Sequence, residues 1–224
     1  MEKYVIVVAG GKGLRMGTEI PKQFLLLRGK PVLMHTLEAF YNYDRAIHII
    51  VVLPEEGQAY WQTLCEQYKF TIKHLIVNGG ETRFHSVKNG LDCVKEKQSL
   101  VAIHDGVRPA VSKELIANAF DAAGKYNSAY PVIPVSDSLR KFMPGGETIL
   151  VDRSEYVLVQ TPQVFASELI IDAYQGGYCG EFTDDVSVYE ARRHCKAHSI
   201  EGRKENIKIT TPVDLVLVEA ILWS

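Results

Sequence analysis

The chain has few cysteines. Cys65, Cys93, Cys179 and Cys195 are the only four in 224 residues, with no Cys-x-x-Cys pair and no Cys/His set at zinc-finger spacing. A disulfide scaffold and a structural zinc site are therefore excluded as organising principles, and the thiols read as reduced and mostly packed, a catalytic thiol being the minority reading. Long hydrophobic runs are missing too. The opening segment offers only Tyr4–Ala9 before its glycines, too short for a signal-peptide core or for a membrane span of roughly 20 apolar residues. A cytoplasmic protein with no membrane partner is the expectation. Charge of one sign is also lacking: 25 Lys and Arg against 27 Asp and Glu leave a formal charge of -2, so the basic footprint of a non-specific nucleic-acid binder is absent. No low-complexity tract or internal repeat is present, and 46% hydrophobic with 23% charged residues disfavours disorder, collagen and coiled coil. The length suits one domain with a core large enough to stand alone.

What is present alternates. Short, β-branched stretches at Tyr4–Ala9, Ile47–Leu53, Leu75–Val77, Leu100–Ile103 and Ala129–Val135 read as buried strands. Between them Leu33, Leu37 and Phe40, and likewise Val87, Leu91 and Val94, recur at the spacing of one helix face. A further helix is expected to start after Ser112 as N-cap, to bury Leu115, Ile116, Ala119, Phe120 and Ala123, and to stop at Gly124. Near the end, Thr211, Pro212 and Asp214 form a capping box before Leu215, Val218 and Leu222. Strand and helix in alternation predict an α/β fold with a doubly wound, mostly parallel, Rossmann-like sheet. The rhythm fails over 136–159, where Met143-Pro144-Gly145-Gly146 is a turn between segments carrying Arg140, Lys141, Asp152 and Arg153. This segment is expected to be a protruding two-stranded β-arm on a single domain spanning 1–224.

The densest local signal is Gly10-Gly11-Lys12-Gly13-Leu14-Arg15-Met16-Gly17, directly after the first strand and followed by Pro21-Lys22-Gln23. Glycines let backbone N–H groups approach phosphate oxygens without a Cβ in the way; a tight strand-to-helix turn would use the same residues. No Gly-Lys-Ser/Thr closes a Walker A loop, and Met16 stands where a dinucleotide fingerprint needs its third glycine. A nicotinamide dehydrogenase is demoted further because no acidic residue lies about 20 positions beyond the loop at a strand end. Arg15 and Lys22, two cations around a glycine loop, suit the charge that develops on a transferring phosphoryl group.

Five collinear stretches carry a resemblance. They are Gly10-Gly11-x-Gly13-x-Arg15-Met16 with Pro21-Lys22-Gln23-Phe24; Gly79-Gly80-Glu81-Thr82-Arg83 with Ser86; His104-Asp105-Gly106-Val107-Arg108-Pro109; Gln160-Thr161-Pro162-Gln163; and Glu201-Gly202-x-x-x-Asn206-Ile207-Lys208-x-Thr210. Together, over essentially the whole chain, they resemble the 2-C-methyl-D-erythritol 4-phosphate cytidylyltransferases among the nucleoside-triphosphate transferases. The resemblance implies a nucleotide-diphospho-sugar transferase type of fold. It also implies a reaction in which CTP and a polyol phosphate give a CDP-alcohol and pyrophosphate, with Mg²⁺ as cofactor, in the non-mevalonate isoprenoid pathway.

The resemblance distributes roles along the chain. Ala9, Gly10, Gly11, Gly13, Gly79, Gly80, Arg83, Ser86 and Asp105 would bind CTP, with the Gly79-Gly80 backbone against the base and Ser86 at its edge. Arg15 and Lys22 would stabilise the transition state. Asp105, Arg108, Ser138, Arg153, Thr183 and Lys208 would receive the acceptor, Arg153 and Lys208 positioning its phosphate. Asp105 is also the candidate Mg²⁺ contact. The family's arm reaches across a homodimer, so Arg153 and Ser138 would serve the partner's site. His104 reads as a packing or hydrogen-bonding residue, because an ionised phosphate needs no general base. Thr183-Asp184-Asp185 also reads as a helix N-cap with acidic first-turn residues. Gly106-Val107 departs from the family's frequent alanine pair toward the ribitol 5-phosphate cytidylyltransferases, and Ser138 replaces the usual threonine. Ribitol 5-phosphate is therefore the alternative acceptor, and a non-catalytic nucleotide-binding domain the alternative of another class.

Overall fold

The computed structural model describes residues 1–11 and 20–223. Its central sheet has eight strands: β1 (Glu2–Val8), β4 (His48–Leu53), β5 (Leu75–Asn78), β6 (Ser99–Asp105), β7 (Ser128–Pro134), β10 (Val157–Val159), β11 (Gln163–Ala166) and β12 (Ser199–Glu201). The remaining strands are two pairs, β2 (Leu26–Leu27) with β3 (Lys30–Pro31), and β8 (Arg140–Phe142) with β9 (Thr148–Leu150). Strand order is β10-β7-β11-β6-β1-β4-β5, with β12 beside β7. β4 and β6 flank β1 in parallel and β5 extends the row, whereas β11 and β10 run antiparallel to their neighbours. The doubly wound, mostly parallel sheet expected from the alternation is present. The chain leaves β1 toward β4 and β5 and returns to β6 on the other side, which opens a crevice beyond the carboxyl ends of β1 and β6.

Strand periodicity divides the core in two. Val5 and Val7 of β1 face one layer and Tyr4 and Ile6 the other, all buried. On the first face pack α1 (Val32–Tyr43), α2 (Glu55–Gln67) and α4 (Lys113–Tyr126), delivering Leu37, Phe40, Trp61 and Phe120. On the second pack α3 (Arg83–Leu91), α5 (Ser167–Gln175) and α6 (Asp185–Arg193), delivering Phe84, Tyr174 and Tyr189. A third, smaller cluster joins α7 (Pro212–Ile221) to Leu27, Val107 and Ile209, so the last helix closes over the loop that follows β6. No helix among the described residues is long and apolar enough to cross a membrane.

Several local expectations shift. Ser112 caps α4 through the Leu115 N–H, but the helix runs through Gly124 and ends at Asn127, whose φ of 66° supplies the left-handed turn that a glycine was expected to make. Val94 lies past the end of α3 and packs from the following turn. α6 is capped by Asp184 with Ser187 rather than by Thr183, while the Thr211–Asp214 box is formed as expected. Within 136–159, β8 and β9 pair with each other as a separate two-stranded hairpin, and Val157–Val159 instead pairs with β7 as the sheet's edge strand. The four cysteines are free thiols; burial pushes the Cys65 thiol up to about 11, and Cys195 is exposed rather than packed.

Gly90 tests how tightly α3 sits on the sheet, because a Cβ there would lie 2.7 Å from Ile6 Cγ2 and 3.2 Å from Val52 Cγ2. Both methyls are on core strands and cannot swing away. On an exposed helix Gly→Ala stabilises by up to about 1 kcal/mol; Gly90→Ala is expected to destabilise by about 1–3 kcal/mol in urea unfolding, and a gain in stability would contradict this packing.

Candidate active site

Two cavities meet in the crevice. The first, about 260 Å³, is lined by Gly10, Gly11, Lys22, Gln23, Gly80 and Ser86 among others. The second, about 270 Å³, is lined by Arg108, Gln160, Thr161, Gln163, Thr183 and Asp184. Arg83, Asp105 and Lys208 line both. A pair of pockets sharing one carboxylate and two cations can hold two anionic groups against each other at their junction.

β1 and β6 bring the two halves together. In register, Val8 lies opposite Asp105, so the glycine loop and the acidic residue leave the sheet side by side. Ala9 bonds through its N–H to Val52 O at 2.9 Å, and its carbonyl accepts from Gln23 Nε2 at 2.7 Å. Lys22, in the short 3-10 turn Lys22–Phe24, donates to Ile209 O at 3.1 Å. Gly80 follows β5; a Cβ there would fall 2.4 Å from His85 Cβ, so the approach of this loop to α3 requires glycine. Its N–H donates to Ser86 Oγ at 3.0 Å, which pins the loop while leaving the Ser86 hydroxyl hydrogen available to donate. Gly79 sits one step back, its N–H on Leu53 O at 2.7 Å, and does not line either cavity.

Asp105 is the electrostatic centre. It is buried, and its Oδ2 accepts from Arg108 Nε at 3.0 Å and lies 3.1 Å from Lys208 Nζ. Burial alone would raise its pKa, but the combined charges of Lys208, Arg108 and Arg83 outweigh that and hold the carboxyl well below the usual carboxylate range. Arg108 also donates to Asn206 O at 2.8 Å, so its head is held from two directions. Asp105 is thus the anion on which Arg108 and Lys208 converge, with the Arg83 charge close by.

His104, behind Asp105, is fully buried against Phe40. Its Nε2 lies 3.2 Å from Arg108 O, which can only accept, so Nε2 carries the hydrogen. Nδ1 must then accept from Thr161 Oγ1 at 3.0 Å, while that oxygen accepts the Asp105 N–H at 3.1 Å. The chain Asp105, Thr161, His104, Arg108 is thus satisfied only with a neutral imidazole, in agreement with its expected packing role. Burial, the dominant effect, lowers its pKa to about 4.

Of the residues singled out from sequence, Ala9, Gly10, Gly11, Lys22, Gly80, Arg83, Ser86, Asp105, Arg108, Thr183 and Lys208 gather around these cavities. Gly13 and Arg15 lie outside the described residues. Arg153 and Ser138 are exposed and line neither cavity; Arg153 instead donates to Ser136 O within the same segment. Sequence reasoning missed Asp185. It was read with Asp184 as a helix-start carboxylate, yet it is fully buried and paired bidentately with Arg83 at 2.8 and 2.6 Å. The partners are 102 positions apart, so no local pattern could disclose them. Gln160 and Asn206 stood in the quoted stretches without a role; in the loop after β12, Asn206 Nδ2 donates to Thr161 O at 2.8 Å and Arg203 O accepts from Gln160 Nε2 at 2.8 Å.

The neutral His104 makes stability depend on pH. An unfolded histidine takes up a proton below its ordinary value of 6.5, whereas the folded one waits until about 4. The unfolded state therefore binds more protons inside that window, and folding stability falls as pH drops from 6.5 toward 4, by about 3 kcal/mol at most. His35 and His74 are lowered as well, burial first, and add the same sign. Thermal midpoints measured across the window should fall with acidification, and less steeply in His104→Gln; equal slopes would contradict the assignment.

The sequence profile of 2-C-methyl-D-erythritol 4-phosphate cytidylyltransferase matches residues 3–224. The enzyme of that name from Azobacteroides pseudotrichonymphae is 57% identical over 221 residues, covering 99% of both chains. The one from Phocaeicola vulgatus is 55% identical over 225 residues, covering 99% of this chain and 100% of its own. Among solved structures, the cytidylyltransferase of Thermus thermophilus superposes with a TM-score of 0.80 at 31% identity, each chain covered in full.

Proposed function

The chain belongs to the 2-C-methyl-D-erythritol 4-phosphate cytidylyltransferase family, and from that premise we propose that it joins CTP to methylerythritol 4-phosphate at the junction of its two cavities. The observation that carries this reading is the sharing of Arg83, Asp105 and Lys208 by both cavities. Nucleotidyl transfer needs two phosphate-bearing substrates side by side, with cations where they touch.

CTP would occupy the first cavity, its base against the loop at Gly80 and Ser86 and its phosphates along Gly10, Gly11 and Lys22. The acceptor would occupy the second, its phosphate met by Arg108 and Lys208 and its polyol by Thr183. An oxygen of that phosphate attacks the CTP α-phosphorus in line. The new P–O bond forms as the bond to the β-phosphate oxygen breaks, and pyrophosphate leaves with the electron pair. No proton has to be removed from the nucleophile, which agrees with a His104 held neutral and occupied by structural bonds. Orientation can supply an effective molarity of about 10⁵ M or more, and Lys22 with Arg15 would neutralise the charge that accumulates on the triphosphate. Among the described residues that line both cavities, Asp105 is the one carboxylate, which fits a divalent ion bound by one carboxylate together with substrate phosphates. Bound there, Mg²⁺ would offset triphosphate charge.

The Gly106-Val107 departure has a packing cause. A Cβ on Gly106 would lie 3.0 Å from Ala9 Cβ and 3.2 Å from Val8 O, and Val107 packs with Ile209 and Val218 and lines the first cavity, not the second. This supports methylerythritol over ribitol, since neither change faces the acceptor side. The hairpin and the strand after it display Phe142, Leu150 and Leu158, which are 79%, 71% and 53% exposed. Such an apolar surface supports a homodimer in which Arg153 and Ser138 reach the partner's acceptor cavity.

Pyrophosphate release with CTP should be faster with methylerythritol 4-phosphate than with ribitol 5-phosphate; the reverse preference would replace the acceptor. Lys22→Ala, and likewise Arg15→Ala, is expected to lower kcat on the order of 10²–10³-fold in protein of unchanged thermal midpoint, and near-normal turnover would remove that residue from the mechanism.

A further inference from the structure

We infer that Asp185, braced by Tyr174, is a positioning residue that aims the Arg83 guanidinium at the junction and thereby ties the nucleotide side of the site to the acceptor side. Asp185 is completely buried, and both of its carboxylate oxygens receive Arg83 in a two-pronged contact of 2.8 and 2.6 Å. Tyr174 donates to Oδ1 at 2.6 Å. Its ring, equally buried, stacks on Phe84 with centroids 4.5 Å apart, next in sequence to Arg83. The backbone of Asp185 is fixed as well: Gln163 Oε1 accepts the N–H groups of Asp185 and Val186, each at 3.0 Å, while Gln163 Nε2 donates to Asp184 Oδ2 at 2.9 Å.

The two ends of this contact begin different helices. Arg83 is the first residue of α3, just after the loop that lines the first cavity. Asp185 is the first residue of α6, just after Thr183 and Asp184, which line the second. A guanidinium has five N–H donors in a rigid fork. Among the described residues its hydrogen bonds run to Asp185 alone, which leaves three donors on a side chain still 31% exposed and lining both cavities. The bidentate contact fixes the plane of the fork, and with it the direction of those donors. Lysine could supply the charge but not the plane. This rests on the nucleotidyl-transfer reading of the same cavities.

The test is a double-mutant cycle on pyrophosphate release from CTP and methylerythritol 4-phosphate, using Arg83→Gln, Asp185→Asn and the pair, with thermal midpoints recorded for each. Asp185→Asn keeps the side-chain shape and is expected to lower kcat about 10-fold to 100-fold, the scale of a misplaced contact group. In the Arg83→Gln background it should cost nothing further, because Asp185 acts through Arg83. An equal loss in both backgrounds, or kcat within about twofold of wild type for Asp185→Asn alone, overturns the inference. If Asp185→Asn does not fold, Tyr174→Phe decides: it keeps the stack on Phe84, removes one hydrogen bond and should lower kcat about threefold or more, and an unchanged kcat overturns the inference. Arg83→Lys should fail to restore turnover. If the wild-type protein itself releases no pyrophosphate from these substrates, the parent reading fails, separately from the outcome for the variants.

Discussion

The buried carboxylate of Asp105 organises the crevice at the end of the sheet. Left unpaired at that depth it would be costly, so its environment has to supply cations. Arg108 comes from the same loop and Lys208 from the segment ahead of α7, while Arg83 contributes from α3. Three distant parts of the chain are thereby drawn to one point, and the positive groups that neutralise Asp105 are the same groups that phosphate would meet. The interaction that settles the fold's polar interior also prepares its site.

The sheet makes this arrangement possible. β6 is buried along its whole length, so the first place where its chain can present a charge to a ligand is its carboxyl end. β1 ends beside it in register, and β11 lies on the other side, placing Thr161 and Gln163 against the same crevice. His104 is held behind Asp105 as a neutral link between Thr161 and Arg108. Asp185 does for Arg83 what Asn206 does for Arg108: each fixes a guanidinium from outside the cavity, by a side-chain carboxylate in one case and a backbone carbonyl in the other.

Much of this was legible in the sequence because it is written locally. β-branched runs mark strands whatever surrounds them, the Ser112 cap and the Thr211–Asp214 box close within their own first turns, and the glycines after β1 and β5 stand where strand meets loop. The end of α4 was not legible, because Asn127 takes a left-handed conformation for which Gly124 was the stronger local candidate. Nor was the Arg83–Asp185 pair, since an aspartate at a helix start looks like a cap until burial removes it from solvent. Val157–Val159 reads as arm because it lies in the 136–159 stretch where the strand–helix rhythm fails around a Pro-Gly-Gly turn; only pairing with β7 makes it part of the sheet. The resemblance named Asp105 and its cations, and long-range contacts decide which side chains hold them together.

The proposed nucleotidyl transfer depends on the charge of Asp105 at the junction. The most direct measurement is kcat for pyrophosphate release by Asp105→Asn, which keeps the side-chain shape, taken beside a thermal unfolding scan showing that the protein is folded. The expected result is a fall on the order of 10²-fold or more, as when groups at the reacting centre lose their alignment. A folded variant turning over at the wild-type rate would contradict it.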